Sequence, residues 1–291
     1  MQTEPLLTWS EPATELLGFI ALFLANGAIG FRYAALRGRL ASAGADDVVE
    51  VAARRAGALG LIGALVQAVL LVTRLPHLAE RMHLTTAQLV TTDPQTIARC
   101  GLLLVGIVGL ALAATGRRSG WGLAAVGVIG SELSGVLGGK WERMVNPVHQ
   151  LLAGLWLGTL AVLVLAGITT ALRGERRGRG AAVAEMVNGF SPLALTCGPL
   201  LIATGVITAL RHLTPFSSLW STPYGYALLL KLCLVAATFA LGAWNWRRQR
   251  PQLGSDAAAG SLLRSSVLEL AAALLVLTVT AVLVSLPSPK G

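Results

Sequence analysis

Eight stretches of about twenty predominantly apolar residues divide this chain. Each is long enough to cross the ~30 Å hydrocarbon core of a bilayer as a helix. They cover residues 16–36, 57–75, 96–115, 120–137, 147–172, 191–210, 224–246 and 263–286. The fourth is the weakest, being short, glycine-rich and interrupted by Glu132. Charged residues make up only 13% of the 291 positions and hydrophobic ones 54%, with a mean hydropathy of +0.69. A soluble domain carries about 25% charged residues and needs them to wet its surface. The pattern predicts an all-α, polytopic membrane helix bundle of about eight transmembrane helices, with the lipid bilayer as its principal partner. No connection between spans is long enough to hold a soluble domain.

The net charge of +9 is an orientation signal before it is anything else. Fifteen of the 23 Lys and Arg fall on one side, in the segments around Arg37, Arg54, Arg117, Arg176 and Arg248. Seven fall on the other, and Lys231 lies inside a span. Basic residues collect at the cytoplasmic face, so both termini are predicted outside. The runs at 173–180 and 247–251 then read as stop-transfer loops, and no nucleic-acid partner is expected. The N-terminus lacks the basic region of a signal peptide, so the first span is expected to be retained.

Spacing is compatible with two parallel four-helix halves, 1–146 and 147–291. A shift of 130 residues superposes Leu102, Leu104, Val105, Arg117 and Arg118 on identical residues of the seventh span. Gly27 with Gly30, Gly106 with Gly109, and Gly127 with Gly130 have the spacing of close helix packing. Pro199 removes a helix hydrogen bond inside the sixth span.

All four histidines fall at the predicted outer side, with soft partners nearby in sequence. Met82 adjoins His83, Met144 precedes His149, and Cys100 lies at the outer end of the third span. Imidazole suits Cu(II) and thioether or thiolate suits Cu(I), so an outward-facing metal site is chemically available. His77 and His83 lack the spacing that would pair them on one helical face, and they read first as solvated interface residues. His149 follows Asn146-Pro147 at a helix start. It faces either a polar pocket between helices or the headgroup layer. Intramembrane charges are costly and mark function or pairing. Three qualify: Glu132, Lys231 and Glu269. Glu132 and Lys231 lie at compatible depth and are expected to pair. Glu269 is expected to pair with an inner arginine or with polar backbone. No Walker A loop, CxxC motif or protease triad is present, and only one histidine lies within a span, so neither an enzyme nor a haem protein is expected.

At the fifth span, His149-Gln150-Leu151 through Ala153, Trp156-Leu157-Gly158 and Leu160 resembles a signature of the copper resistance D (CopD) membrane-domain family. Further matches follow in order: Phe190-Ser191-Pro192, Thr204-Gly205, Thr222-Pro223-Tyr224-Gly225, Lys231, Asn245, Arg247-Arg248 and Glu269. The resemblance spans roughly Pro147 to Pro289. It implies an eight-span protein of the bacterial cytoplasmic membrane that handles copper, often beside a periplasmic copper-binding protein. On this resemblance, copper is taken up at the outer face by His149 with Met144, His83 and Glu132, and passes near Lys231. Glu269, Trp156 and Gly158 are carried over as structural positions, and Pro199 is a structural position by the kink expected of it in the sixth span. Where the family has S-G-H-A, this chain has Ser134-Gly135-Val136-Leu137, so the second histidine is replaced by Val136. Glu132 or Met144 then has to complete the site. Two other readings stand beside the copper permease: an accessory or scaffold subunit of a respiratory or photosynthetic membrane complex, and a copper-delivery assembly factor.

Overall fold

A computed structural model describes residues 9–37, 47–135, 144–173, 178–213, 215–249 and 254–287. These residues form helices and connecting turns, with no strand among them. Seven helices are long and apolar enough to cross a membrane. They are α1 (Ser10–Ala35), α2 (Asp47–Arg81), α4 (Pro94–Ala114), α6 (Val145–Arg173), α7 (Arg179–His212), α9 (Pro223–Gln249) and α10 (Asp256–Ser285). The weak fourth run gives a shorter apolar helix, α5 (Gly120–Leu133). Two short helices, α3 (Thr86–Thr92) and α8 (Ser218–Ser221), lie in connections. The protein is an all-α, multi-pass membrane bundle.

Two helices run well beyond their apolar runs. α2 starts ten residues earlier than hydropathy predicts, because 47–56 continues as a helix with Glu50 and Arg54 paired one turn apart. Arg55 on that extension donates to the Thr170 hydroxyl of α6 at 2.8 Å. α7 starts twelve residues early, after Gly178 at φ +85°. Its extra turns bury Ala182, Val183 and Met186 in the core. Pro192 and Pro199 both lie within the continuous α7.

The start of α4 is fixed locally. Asp93 caps it by accepting from the Thr96 N–H at 2.8 Å, and Pro94 occupies the first turn, where no backbone donor is needed. The preceding α3 begins with a capping box between Thr85 and Gln88. Together these place Gln95 and Arg99 at the mouth of the bundle.

α1 is the central element. It packs on α2, α5, α6 and α10, so it touches both halves of the sequence. The α1–α6 contact is backbone on backbone: a Cβ at Gly27 would meet the Gly158 carbonyl, and one at Gly30 the Thr159 hydroxyl. α4 and α5 close in the same way, Gly106 on Gly127 and Gly109 on Ala124. The glycine pairs expected to mediate packing do so. α6 is not a uniform α-helix, since Gly154–Gly158 and Leu163–Ile168 are π-helical. By contrast, α7 and α9 are enclosed least and present Leu195, Val206, Leu230 and Trp244 outward, as lipid-facing helices do.

Glu269 finds its partner across the α9–α10 contact. The Asn245 side chain donates to its carboxylate at 2.5 Å, so among the described residues the partner is a neutral side-chain amide, where an inner arginine or polar backbone was expected. An unpaired buried polar group costs about 1–3 kcal/mol. Replacing Glu269 with leucine strands the Asn245 amide and is expected to lower stability by about that amount. Thermal unfolding of the detergent-solubilised protein measures it, and an unchanged midpoint would show that Asn245 finds another acceptor.

Candidate functional site

The first three turns of α6 present two different faces to two different neighbourhoods. His149 points at α7. Its Nδ1 lies 2.9 Å from the Thr204 hydroxyl, and that hydroxyl is 2.7 Å from the Leu200 carbonyl, to which it donates. In the tautomer where Nδ1 donates to Thr204, Nε2 keeps its lone pair and is free to ligate. Gly205 lies beside the ring, where a Cβ would sit at ordinary contact distance, 3.4 Å, from Cε1. One turn nearer the helix start, the Thr208 hydroxyl donates to Asn146 Oδ1 at 3.2 Å, which ties α6 and α7 together at that end. Of the two surroundings open to His149 from sequence, the structure gives the pocket between helices.

Lys231, half-buried on α9, completes this neighbourhood, and its charge acts on the imidazole. Two turns along the same face of α6, Trp156 packs against Phe239 of α9, with ring centroids 4.7 Å apart and planes tilted by 34°. Gly198 of α7 lies beneath that pair, 3.1 Å from the Phe239 ring by its Cβ position. Three helices thus meet around His149, Thr204 and Lys231, floored by Trp156 and Phe239.

The other face of α6 closes a cavity of about 200 Å³. Its walls come from α1, α2, α4, α5 and α6 and include Gln67, Gln95, Arg99, Ser131, Glu132, Ser134 and Gln150. Here Glu132 is held by Asn26 of α1, whose side-chain amide donates to Oε1 at 2.5 Å. Asn26 also donates to the Leu22 carbonyl at 3.2 Å. Glu132 is therefore bonded to Asn26 and not to Lys231, which faces the far side of α6. No Glu132–Lys231 ion pair exists among the described residues. The common depth expected of them does not bring them together, because α6 stands between the two positions.

The residues proposed from sequence as copper ligands are thus divided. His149 stands alone on the α7 side. Glu132 lines the cavity, and the Met144 sulfur lies near Gly135 close by. His83 is exposed in the turn after α2, at φ +56°, away from both. Val136 lies outside the described residues. Among the described residues no three His, Cys, Asp or Glu converge into a metal cage. Sequence reasoning passed over Asn26, Thr204 and Arg99 as site residues. Asn26 carried a usable signal, being an amide in the middle of an otherwise apolar span.

Comparison with known proteins bears on the α7 side. Residues 184–283, from α7 to α10, match the family model described as copper resistance protein D. A relative from Bacillus subtilis (strain 168), named copper transport protein CutJ, is 34% identical over 147 residues. That alignment covers 50% of this chain and 25% of the relative, so the chain matches about a quarter of that protein's length. No solved structure matches. His149 precedes the residues of the family match, but its partners Thr204, Gly205 and Lys231 lie within them. From α7 to α10, residues 184–283, this chain is thus similar to the copper resistance protein D (CopD) family.

Proposed function

We propose that this protein is a CopD-type copper permease of the bacterial cytoplasmic membrane, taking copper at the end of the bundle poorer in Lys and Arg and passing it along α6. The observation that carries this reading is His149, an imidazole held in place by Thr204 between α6 and the family-matching helices. A single well-oriented imidazole suits a transit ligand. Conduction requires a site strong enough to admit the ion and weak enough to release it. Copper is the substrate here, and the chain's part is to offer one oriented nitrogen beneath a polar entrance. The charge bias supports termini on the outer side, where a periplasmic copper-binding protein would deliver the ion.

Copper content of cells producing the protein, its His149→Ala variant or neither tests the reading. Copper is expected to rise with the wild type and to stay at the empty-cell level with His149→Ala. Metal analysis of the purified proteins should show the same contrast. Equal copper in all three strains would rule out transport and leave the accessory-subunit reading.

A further inference from the structure

The Asn26–Glu132 pair contains an unmet need. Within it, Glu132 Oε2 and Asn26 Oδ1 are both sealed from solvent, and neither has a hydrogen-bond partner among the described residues. Each is an acceptor, and a buried acceptor without a donor is costly. The two side chains are already joined through Asn26 Nδ2 and Glu132 Oε1. One hydrogen placed on the carboxyl, with a rotation of the amide, would serve both orphans at once. We infer that the Asn26–Glu132 pair is a proton-binding site, loaded through the polar cavity and coupled to the movement of α6.

The step is a simple exchange. The Glu132 side chain turns its carboxyl to the cavity, takes a proton from hydronium there, leaving water, and turns back. The new O–H donates to Asn26 Oδ1, closing a cyclic acid–amide pair. On release the proton returns to water, and the carboxylate keeps the Asn26 amide bond. No electron moves. The cavity suits this traffic. At about 30 Å³ per water, its 200 Å³ holds several molecules. Its walls offer amides and hydroxyls from Gln67, Gln95, Gln150 and Ser134.

The charged neighbours on each packed helix are few. α4 contributes Arg99, with Arg74 of α2 and Cys100 beside it. α1, α2 and α6 turn the neutral Asn26, Gln67 and Gln150 toward the pair. Among the described residues, Arg99 is the one cation whose field reaches the carboxyl, and it makes no ion pair with Glu132.

The link to α6 is direct. The Asn26 side chain lies against Gly154, where a Cβ would come within 3.0 Å of it. Gly154 opens the first π-helical stretch of α6, five residues after His149. π-helical turns occur often at functional sites. A proton that draws the Asn26 amide toward Glu132 changes what Asn26 presses on α6. This coupling rests on the copper reading above; the proton site itself does not.

Two measurements separate them. In pH-difference infrared spectra of the purified full-length protein, without copper, a titrating protonated-carboxyl band is expected. It should vanish in Glu132→Gln, survive in Glu269→Gln and shift in Asn26→Leu. A band that survives Glu132→Gln, or no titrating carboxyl band at all, overturns the proton site. If Glu132→Gln does not fold, Glu132→Asp keeps an acid while withdrawing it from Asn26, and should shift the band. In proteoliposomes supplied with Cu(I) held reduced, an outside-acid pH gradient is expected to speed uptake several-fold, and Glu132→Gln should remove that response. Uptake that ignores the gradient in the wild type overturns the coupling. No uptake under any condition overturns the copper reading and the coupling with it, while the infrared band decides the proton site on its own.

Discussion

Gly158→Leu is expected to abolish accumulation of folded protein in the membrane. α1 and α6 approach so closely that backbone touches backbone. A Cβ at Gly158 lands on the Phe23 carbonyl and comes within 3.2 Å of the Gly27 Cα, and one at Gly27 strikes the Gly158 carbonyl in return. Overpacking a soluble core costs about 1–3 kcal/mol, because neighbouring side chains can give way. Here no side chain stands in the way, so the helices themselves must part. Parting them also undoes the burial of Asn26 and Thr159, both fully enclosed at this contact. Helix association in lipid has no hydrophobic drive between spans and relies on this close packing. The yield of monodisperse protein after detergent extraction measures the effect. Gly122→Leu is the control, because a Cβ at that exposed position of α5 meets nothing within 4 Å. Equal yields of the two variants would show that α1 and α6 can separate without cost.

That contact was half legible in the sequence. Gly27 and Gly30 announce a smooth face on α1 by spacing alone, and Gly158 belongs to the motif on α6. Nothing in the sequence says that these faces meet each other, since small-residue stripes carry no address. The spans were legible because hydropathy over twenty residues is a strong signal. The extensions of α2 and α7 were not, because 47–56 and 179–190 are polar enough to read as loops until tertiary contacts such as Arg55–Thr170 hold them as helix. The π-helical stretches of α6 left no mark in composition. At the candidate site, the single-residue signals were right about which residues are unusual and silent about partners. Glu132 and Lys231 share a predicted depth and opposite charge, which made pairing reasonable. Depth says nothing about azimuth, however, and the helix between them decides. The partners actually used by both buried carboxylates are asparagines, Asn26 and Asn245. An amide in a span is easily overlooked beside a charge, although it meets a buried carboxylate's need for a donor at lower desolvation cost.

Separating Glu132 from Lys231 leaves a cation beside His149 that no carboxylate neutralises among the described residues, and under the copper-permease proposal this gives Lys231 a role. A positive charge there opposes a copper ion on the imidazole. At an effective dielectric of about 20, a unit charge about 10 Å away repels a monovalent ion by roughly 1–2 kcal/mol, a factor of about ten in occupancy. For a storage site that would be a defect. For a transit site it sets the release rate, because an ion held by one imidazole and pushed by one ammonium leaves readily. Lys231→Leu is therefore expected to raise the copper retained per molecule about tenfold at equal free copper, and to slow turnover by a similar factor. Lys231→Arg, which keeps the charge, should leave both near the wild-type level. Metal analysis after gel filtration, together with uptake rates in proteoliposomes, gives the two readouts. If Lys231→Leu loses retention and turnover together, Lys231 positions His149 and does not repel its ligand. In that case the release step has to be sought in α6 itself, whose π-helical turns depart from regular α-helical hydrogen bonding.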